Sequence, residues 1–400
     1  MQSPMPPFGP ENHPLPLRRE KRDCPPHAIR LECHFEGTNE HNANAQDTIK
    51  RWVDNRIEGR GMIGGEMPNS NASPSAFGWD FQFNAGIVVM LDNICDAKSV
   101  KIEGMTEDIE VELQNGRYVF AQAKSCMNPD DSSNALRDLS KALETLSAAD
   151  GTERANALLF VTNRSNPFND IKSIRKFLNP YSIVSYENLP ESCQTKIQKI
   201  LSKKKLALRT DRFSVLALEF SGDGKARYET IKTRITEFLV RIDNGLYGFG
   251  EKMLDKWRLM FEENASQNDR KASITKKDMM WSLIVLFCEG VDDSRLGNFD
   301  DADSTEIREK FSTVISDHAE RFGMVSRIMT EYEKYKRRHS NQRGDEVQKS
   351  FIEEKHELFA SDFDLAGLEP RLAIAIRKIT IEKILQQQRK ISKVKEAVNL

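Results

Sequence analysis

Asp108 opens an alternating segment, and after a turn the apolar run Tyr118-Val119-Phe120-Ala121 stops abruptly at Gln122-Ala123-Lys124. On a strand the Gln122 and Lys124 side chains point to the same face. A polar pair closing an apolar strand is costly unless something uses it, because buried polar groups need partners. A divalent metal held by the Asp108 carboxylate and the Gln122 amide oxygen, with the Lys124 ammonium beside it, satisfies all three groups. Hydrolysis of a phosphodiester wants this set: a metal that polarises a phosphoryl oxygen and lowers the pKa of a bound water. Asp108 is then the anchoring ligand. Gln122 and the carbonyl of Ala123 add the oxygens that Mg2+ (or Mn2+) prefers. Lys124 positions the water or neutralises charge building on phosphate. A second reading needs no chemistry: Asp108, Glu110 and Glu112 form the solvated face of an edge strand, with Lys124 as their cross-strand counter-ion.

The elements around these residues decide whether they can meet. Residues 108–113 alternate strictly, which predicts a strand. Asn115-Gly116 is a hairpin turn signal, and 117–125 predicts the partner strand. A strict two-residue turn would pair Asp108 with Ala123 and put Asp108 on the wrong face. The site therefore requires an odd-length loop, such as 115–117, or a β-bulge. Helices are expected at 79–93, 133–149 and 171–178, and strands at 100–103 and 181–186. The continuous apolar run at 157–162 reads as a strand buried on both faces. Together these describe a mixed α/β sandwich.

In this order the residues resemble the PD-(D/E)XK nuclease superfamily, in the variant whose second acid is replaced by Gln. More narrowly they resemble the double-stranded-DNA endonuclease domain of bacterial antiphage effectors, the one fused to SAVED domains in CD-NTase systems. The matching elements are Gly78-Trp79-Asp80-Phe81-Gln82, Ile102-Glu103-Gly104 before Glu107-Asp108-Ile109, Ala121-Gln122-Ala123-Lys124, and Phe160-Val161-Thr162-Asn163. They span residues 76–190. The resemblance implies a restriction-endonuclease-like α/β fold, a mixed sheet flanked by helices, that hydrolyses double-stranded DNA with Mg2+ or Mn2+. It implies Asp108 and Gln122 at the metal, Lys124 as catalytic lysine, and Gln82 and Glu103 as contributors. An RNase on the same scaffold and a non-catalytic adaptor with a degenerate nuclease fold stay open.

Charge bounds the partners. With 59 Lys+Arg against 61 Asp+Glu the net charge is −2, which excludes a globally basic nucleic-acid binder. DNA contact must come from a local patch, and the densest is Lys196, Lys199, Lys203, Lys204, Lys205, Arg209 and Arg212. The other reading of that run is a solvated helix face. Gly222-Asp223-Gly224-Lys225 is too short for a phosphate-binding loop, so no ATPase is visible.

Beyond residue 220 strand signals nearly vanish. Helices are expected at 230–244, 252–263, 276–289, 304–321, 324–338, 345–359 and from 369 onward. The organisation expected is a poorly ordered or partner-dependent leader at 1–75, a nuclease-like domain at 76–220 and an all-α assembly domain at 221–400. No SAVED-like α/β alternation follows, so control is expected from assembly. Stand-alone proteins of this type are similar to nuclease partners of HerA-like ring ATPases, which implies a homo-oligomer docked on such a ring. The apolar positions Leu365, Leu368, Leu372, Ile376, Ile379, Ile384, Leu385, Ile391, Val394 and Val398 serve either assembly or packing within their own domain.

No apolar run reaches the ~18–20 residues of a membrane helix; the longest, 279–288, reads as a buried core helix. Six scattered cysteines suit a reducing cytoplasm rather than a disulfide framework. In the proline-rich leader, 44–56 suits a short helix. The spacing of Cys24, His27, Cys33 and His34 matches no common zinc finger.

Overall fold

The alternating segment after residue 108 and the apolar runs around it fold into one seven-stranded mixed sheet with helices on both faces. The computed structural model describes residues 73–267, 269, 272–289, 296, 297, 299–316 and 321–400. Of the leader expected over 1–75, residues 73–75 begin the first helix. The rest lies outside the described residues, as do the 44–56 helix and Cys24, His27, Cys33 and His34.

Helix α1 (Ser73–Asp92) leads into an antiparallel meander of β1 (Ala97–Ile102), β2 (Ile109–Leu113) and β3 (Tyr118–Lys124). Helix α2 (Ala135–Asp150) carries the chain across, so that β4 (Ala155–Thr162) lies parallel to β3. The short α3 (Ile171–Ile174) precedes β5 (Tyr181–Ser185), and α4 (Glu191–Lys204) returns the chain to β6 (Phe213–Leu218). Strand β6 inserts between β4 and β5, parallel to the first and antiparallel to the second. Helices α5 (Glu229–Ile242) and α6 (Gly250–Ser266) follow, and then β7 (Ile274–Thr275) adds to the far side of β1. The strand order is β5-β6-β4-β3-β2-β1-β7. Helices α7 (Lys276–Cys288), α8 (Asp301–Ser316), α9 (Arg321–Arg338), α10 (Gly344–Lys355), α11 (Pro370–Gln386) and α12 (Gln388–Ala397) complete the described chain.

Each face of the sheet buries its own apolar layer. On one, α2 lays Leu139, Leu143 and Leu146 on Phe120, Leu158 and Phe160, beside Ile197 and Leu201 of α4. On the other, α1 is buried almost all round between the sheet and α5 and α6, so it carries no polar stripe over its second half. The apolar run at 279–288 is a buried core helix as expected, started by a Thr275/Asp278 capping box. Among the described residues no helix is long and apolar enough to cross a membrane.

The expected α/β unit followed by helices is what the chain builds, but a boundary at 220 does not divide the apolar core. One continuous layer runs from Phe77 to Val398, and β7 makes a segment of the helical half a strand of the sheet. Lys276, buried at 2% exposure, donates to the carbonyls of Cys95 at 2.8 Å and Val398 at 2.7 Å. It thereby ties the chain around Val398 to the start of β1. Lys276→Ala is expected to cost about 2–4 kcal/mol in a urea titration, because it orphans two carbonyls and opens a void. Asn264 of α6 accepts the Ile102 N–H at 3.2 Å, at the last residue of β1.

One open choice is resolved here and one expectation is corrected. Of the C-terminal apolar positions, Leu372, Ile376, Ile379, Ile384, Leu385, Ile391, Val394 and Val398 are buried within this same core, and Leu365 and Leu368 pack against it. Of the two uses open to these positions, packing within the chain is the one they serve. The helix expected at 171–178 stops at Ile174, where Lys176 and Phe177 close onto Ser173 and Ile174 in tighter turns that bring Phe177 into the α2-side layer.

Candidate active site

The site begins with a turn. Leu113 N–H donates to Arg117 O at 2.8 Å, and Gly116 N–H donates back to Leu113 O at 2.9 Å with Gly116 at φ +77°. The loop is therefore odd, Gln114 to Gly116, one residue earlier than 115–117. Only a residue tolerant of positive φ closes such a turn cheaply. The register that follows pairs Ile109 with Ala121 and Glu110 with Phe120. Continued by one step, it sets Asp108 opposite Gln122, on the required face.

Asp108 gathers the strand end around it. Its Oδ2 accepts the Ala123 N–H at 3.0 Å and lies 3.5 Å from Lys124 Nζ, and it also takes Gln122 Nε2. Burial pushes its carboxyl above the ordinary range, opposed by the Lys124 charge and the Ala123 N–H. Gln122, 3% exposed, turns its amide oxygen to the Thr145 hydroxyl of α2 at 2.7 Å. Ala123 meets Asp108 through its amide N–H rather than its carbonyl. Gln82 of α1 reaches over with Nε2 to Glu103 Oε1 at 2.6 Å and to the Asp108 carbonyl at 3.4 Å. Asp108, Gln122, Ala123, Lys124, Glu103 and Gln82 thus all meet at one corner of the sheet. The edge-strand reading loses its footing, since β2 lies between β1 and β3 and Glu112 pairs with Lys98.

The chain leaving the corner is tied down by Asn163, the residue after β4. Its side chain donates to Cys126 O at 2.7 Å and Phe220 O at 2.8 Å, and accepts the Cys126 N–H at 2.9 Å. It fixes the chain leaving Lys124 against the chain leaving β6.

One acid at the corner was not singled out from the sequence. Glu107 is 4% exposed, and neither carboxylate oxygen has a hydrogen-bond partner. Burial, and then the neighbouring Asp108 charge, push its carboxyl from an ordinary 4.5 up to about 8. A signal for it existed: Glu107 stands directly before Asp108 in the segment that opens β2. The loop that presents it is stapled by Glu110, whose Oε1 accepts the N–H groups of Thr106 at 2.7 Å and Glu107 at 3.1 Å. Glu103 enters that loop at φ +53°, a left-handed conformation that costs a glutamate free energy. At Gly104 a methyl group would run into the Glu110 carboxylate. Gly104→Ala is expected to lower stability by about 1–3 kcal/mol in thermal or urea unfolding, with the staple displaced.

The basic stretch lies elsewhere. Lys204 pairs with Glu144, Lys205 is the left-handed cap of α4, and Lys203 is exposed beside them. Arg209 clamps Asp150 through Nη2 at 2.6 Å and Nε at 2.9 Å. Arg212 donates to Ala155 O, and Ala155 pairs with Tyr118, the first residue of β3, whereas Lys124 is the last. The structure brings neither arginine to the Asp108 corner.

Among the described residues no three His, Cys, Asp or Glu side chains form a ready-made metal cage. The oxygens on offer at the corner are a mixed set of carboxylates and a carboxamide. Compared with known protein families, curated proteins and solved structures, the chain matches none.

Proposed function

We propose that the chain is a metal-dependent endonuclease that hydrolyses phosphodiester bonds of double-stranded DNA. A restriction-endonuclease-like catalytic unit is part of this reading. The observation that carries it is the hairpin register, which sets Asp108 against Gln122 with Lys124 Nζ 3.5 Å away.

The donors fit a hard divalent cation: every ionisable group except Lys124 presents oxygen, and two of those oxygens are buried without a partner. Asp108 and Gln122 would hold Mg2+ or Mn2+. When bound, the cation polarises a phosphoryl oxygen and lowers the pKa of a water beside it. The protein supplies the rest. The Ala123 N–H and the Lys124 charge fix the Asp108 carboxylate and favour its ionised form. The Gln122 carboxamide can turn over without losing its anchor, because Thr145 can accept from Nε2 while donating to Ala142 O at 3.2 Å. Lys124, only partly exposed, stands where negative charge grows on a phosphate in the transition state.

The resemblance further suggests a role in bacterial antiphage defence, with activity governed by homo-oligomerisation on a partner such as a HerA-like ring ATPase. The test is a cleavage assay on duplex DNA and duplex RNA with Mg2+ and Mn2+ titrated from zero, with and without such an ATPase and ATP. Cation-dependent cutting of the DNA is the expected result. Cutting of RNA alone would make it a ribonuclease. An assembly that forms but cuts neither would make it a non-catalytic adaptor.

A further inference from the structure

The charge at the Asp108 corner does not add up for a dication. Asp108 contributes one negative charge, Lys124 at 3.5 Å cancels it, and Gln122 is neutral. Glu103 carries a charge but is already engaged by Gln82 at 2.6 Å. One more acid is needed, and the adjacent residue is one. Glu107 is held inside the protein with both carboxylate oxygens unpartnered. The Thr145 hydroxyl also faces Glu107 and eases its carboxyl down, but its single proton is directed to Gln122 at 2.7 Å.

A carboxylate sealed away from water with nothing to bind costs several kcal/mol. The loop nevertheless forces that placement: Glu110 grips the Glu107 N–H at 3.1 Å, and Gly104 N–H grips the Glu107 carbonyl at 3.0 Å. Such a group is accounted for if a cation completes it. Resting on the nuclease reading above, we propose that Glu107 is a third oxygen ligand of the divalent cation held by Asp108 and Gln122. It restores, from the preceding residue, the negative charge that Gln122 lacks. The prime ligand set is then Glu107, Asp108 and Gln122, with Glu103 and Gln82 behind it as positioning residues.

The test reads cation binding directly, by calorimetric titration of MnCl2 alone into the full chain, free of nucleic acid. The proteins are wild type, Glu107→Gln, Glu107→Asp and Asp108→Asn, with unfolding midpoints measured in EDTA and in Mn2+. The expected result is Mn2+ affinity lowered on the order of 10- to 100-fold by Glu107→Gln, with its EDTA midpoint no lower than that of wild type. Glu107→Asp, which keeps the charge on a shorter arm, should recover part of the affinity. Glu107→Gln binding Mn2+ as wild type does, while Asp108→Asn does not, would overturn the role of Glu107 and leave the nuclease reading standing. Loss of binding in Glu107→Gln, in a protein whose wild type binds Mn2+ but cuts no nucleic acid, would uphold the cation site and sink the nuclease. A wild type that takes up no Mn2+ at millimolar concentration would overturn both.

Discussion

Lys124→Ala is expected to slow cleavage of duplex DNA on the order of 10²–10³-fold while leaving the protein folded. The side chain closes β3, and its recorded ion pair is the 3.5 Å contact with Asp108, between groups that both reach solvent. Pairs of that kind contribute roughly 0–1 kcal/mol to stability. On the nuclease reading, removing it therefore takes away a charge beside the reacting phosphate and almost nothing from the fold.

A second consequence separates this from generic damage. The Lys124 charge holds the Asp108 carboxyl down against burial, so without it that carboxyl ionises at higher pH. The acid limb of the rate profile should move up with the variant. Lys124→Arg, which keeps the charge in a different geometry, should leave that limb near its wild-type position while the rate stays low. An unchanged cutting rate in Lys124→Ala would dismiss Lys124 as a catalytic residue.

Glu107→Gln is expected to stabilise the cation-free protein, and to do so only above acidic pH. The Glu107 carboxyl titrates at about 8 in the folded chain against an ordinary 4.5. The folded state thus holds a proton that the unfolded state has released between those values. Stability contributed by this group is complete below pH 4.5 and falls as pH rises toward 8. Gln is the neutral isostere and has no such slope. The stability difference between variant and wild type should be near zero at pH 4 and about 3 kcal/mol in favour of the variant at pH 7, from 1.36 kcal/mol per pKa unit. It should level off above pH 8. Urea titrations in EDTA across that range measure it. A difference that stays flat with pH would mean that Glu107 finds a partner in solution.

The hairpin was legible because Ile109, Val111 and Leu113 alternate with charged residues, and period two has no other explanation. Its register was not. Asn115-Gly116 advertises a two-residue turn, yet Gly116 takes the last place of a three-residue loop, and that choice lies in backbone torsions that residue types alone do not report. Strand β6 was missed although Phe213 to Leu218 is as apolar as β4. It follows directly on the charged stretch 196–212, whose residue types announce no strand. Strand β7 is two residues long, and it exists because β1 offers it an edge through Ser99 and Val100. No local pattern could announce it. The six positions assigned to the site do converge, whereas Glu107 was passed over because a lone acid beside a better candidate looks redundant. The basic run at 196–212 illustrates the converse: its charges were plain, but Asp150 and Glu144, which consume Arg209 and Lys204, are distant in sequence.

The tie from Lys276 to Val398 also has a meaning for the order in which the chain is made. Domains ordinarily condense as they leave the ribosome, N-terminal ones first. Here the sheet that carries Asp108 gains its last strand from residues 274–275, and the apolar layer beneath it closes with Val398. The Asp108 corner cannot reach its final rigidity until some 270 further residues have been synthesised after Lys124, about the separation between it and Val398. A nascent chain therefore carries Asp108, Gln122 and Lys124 without a finished scaffold to hold them until Val398 has been made.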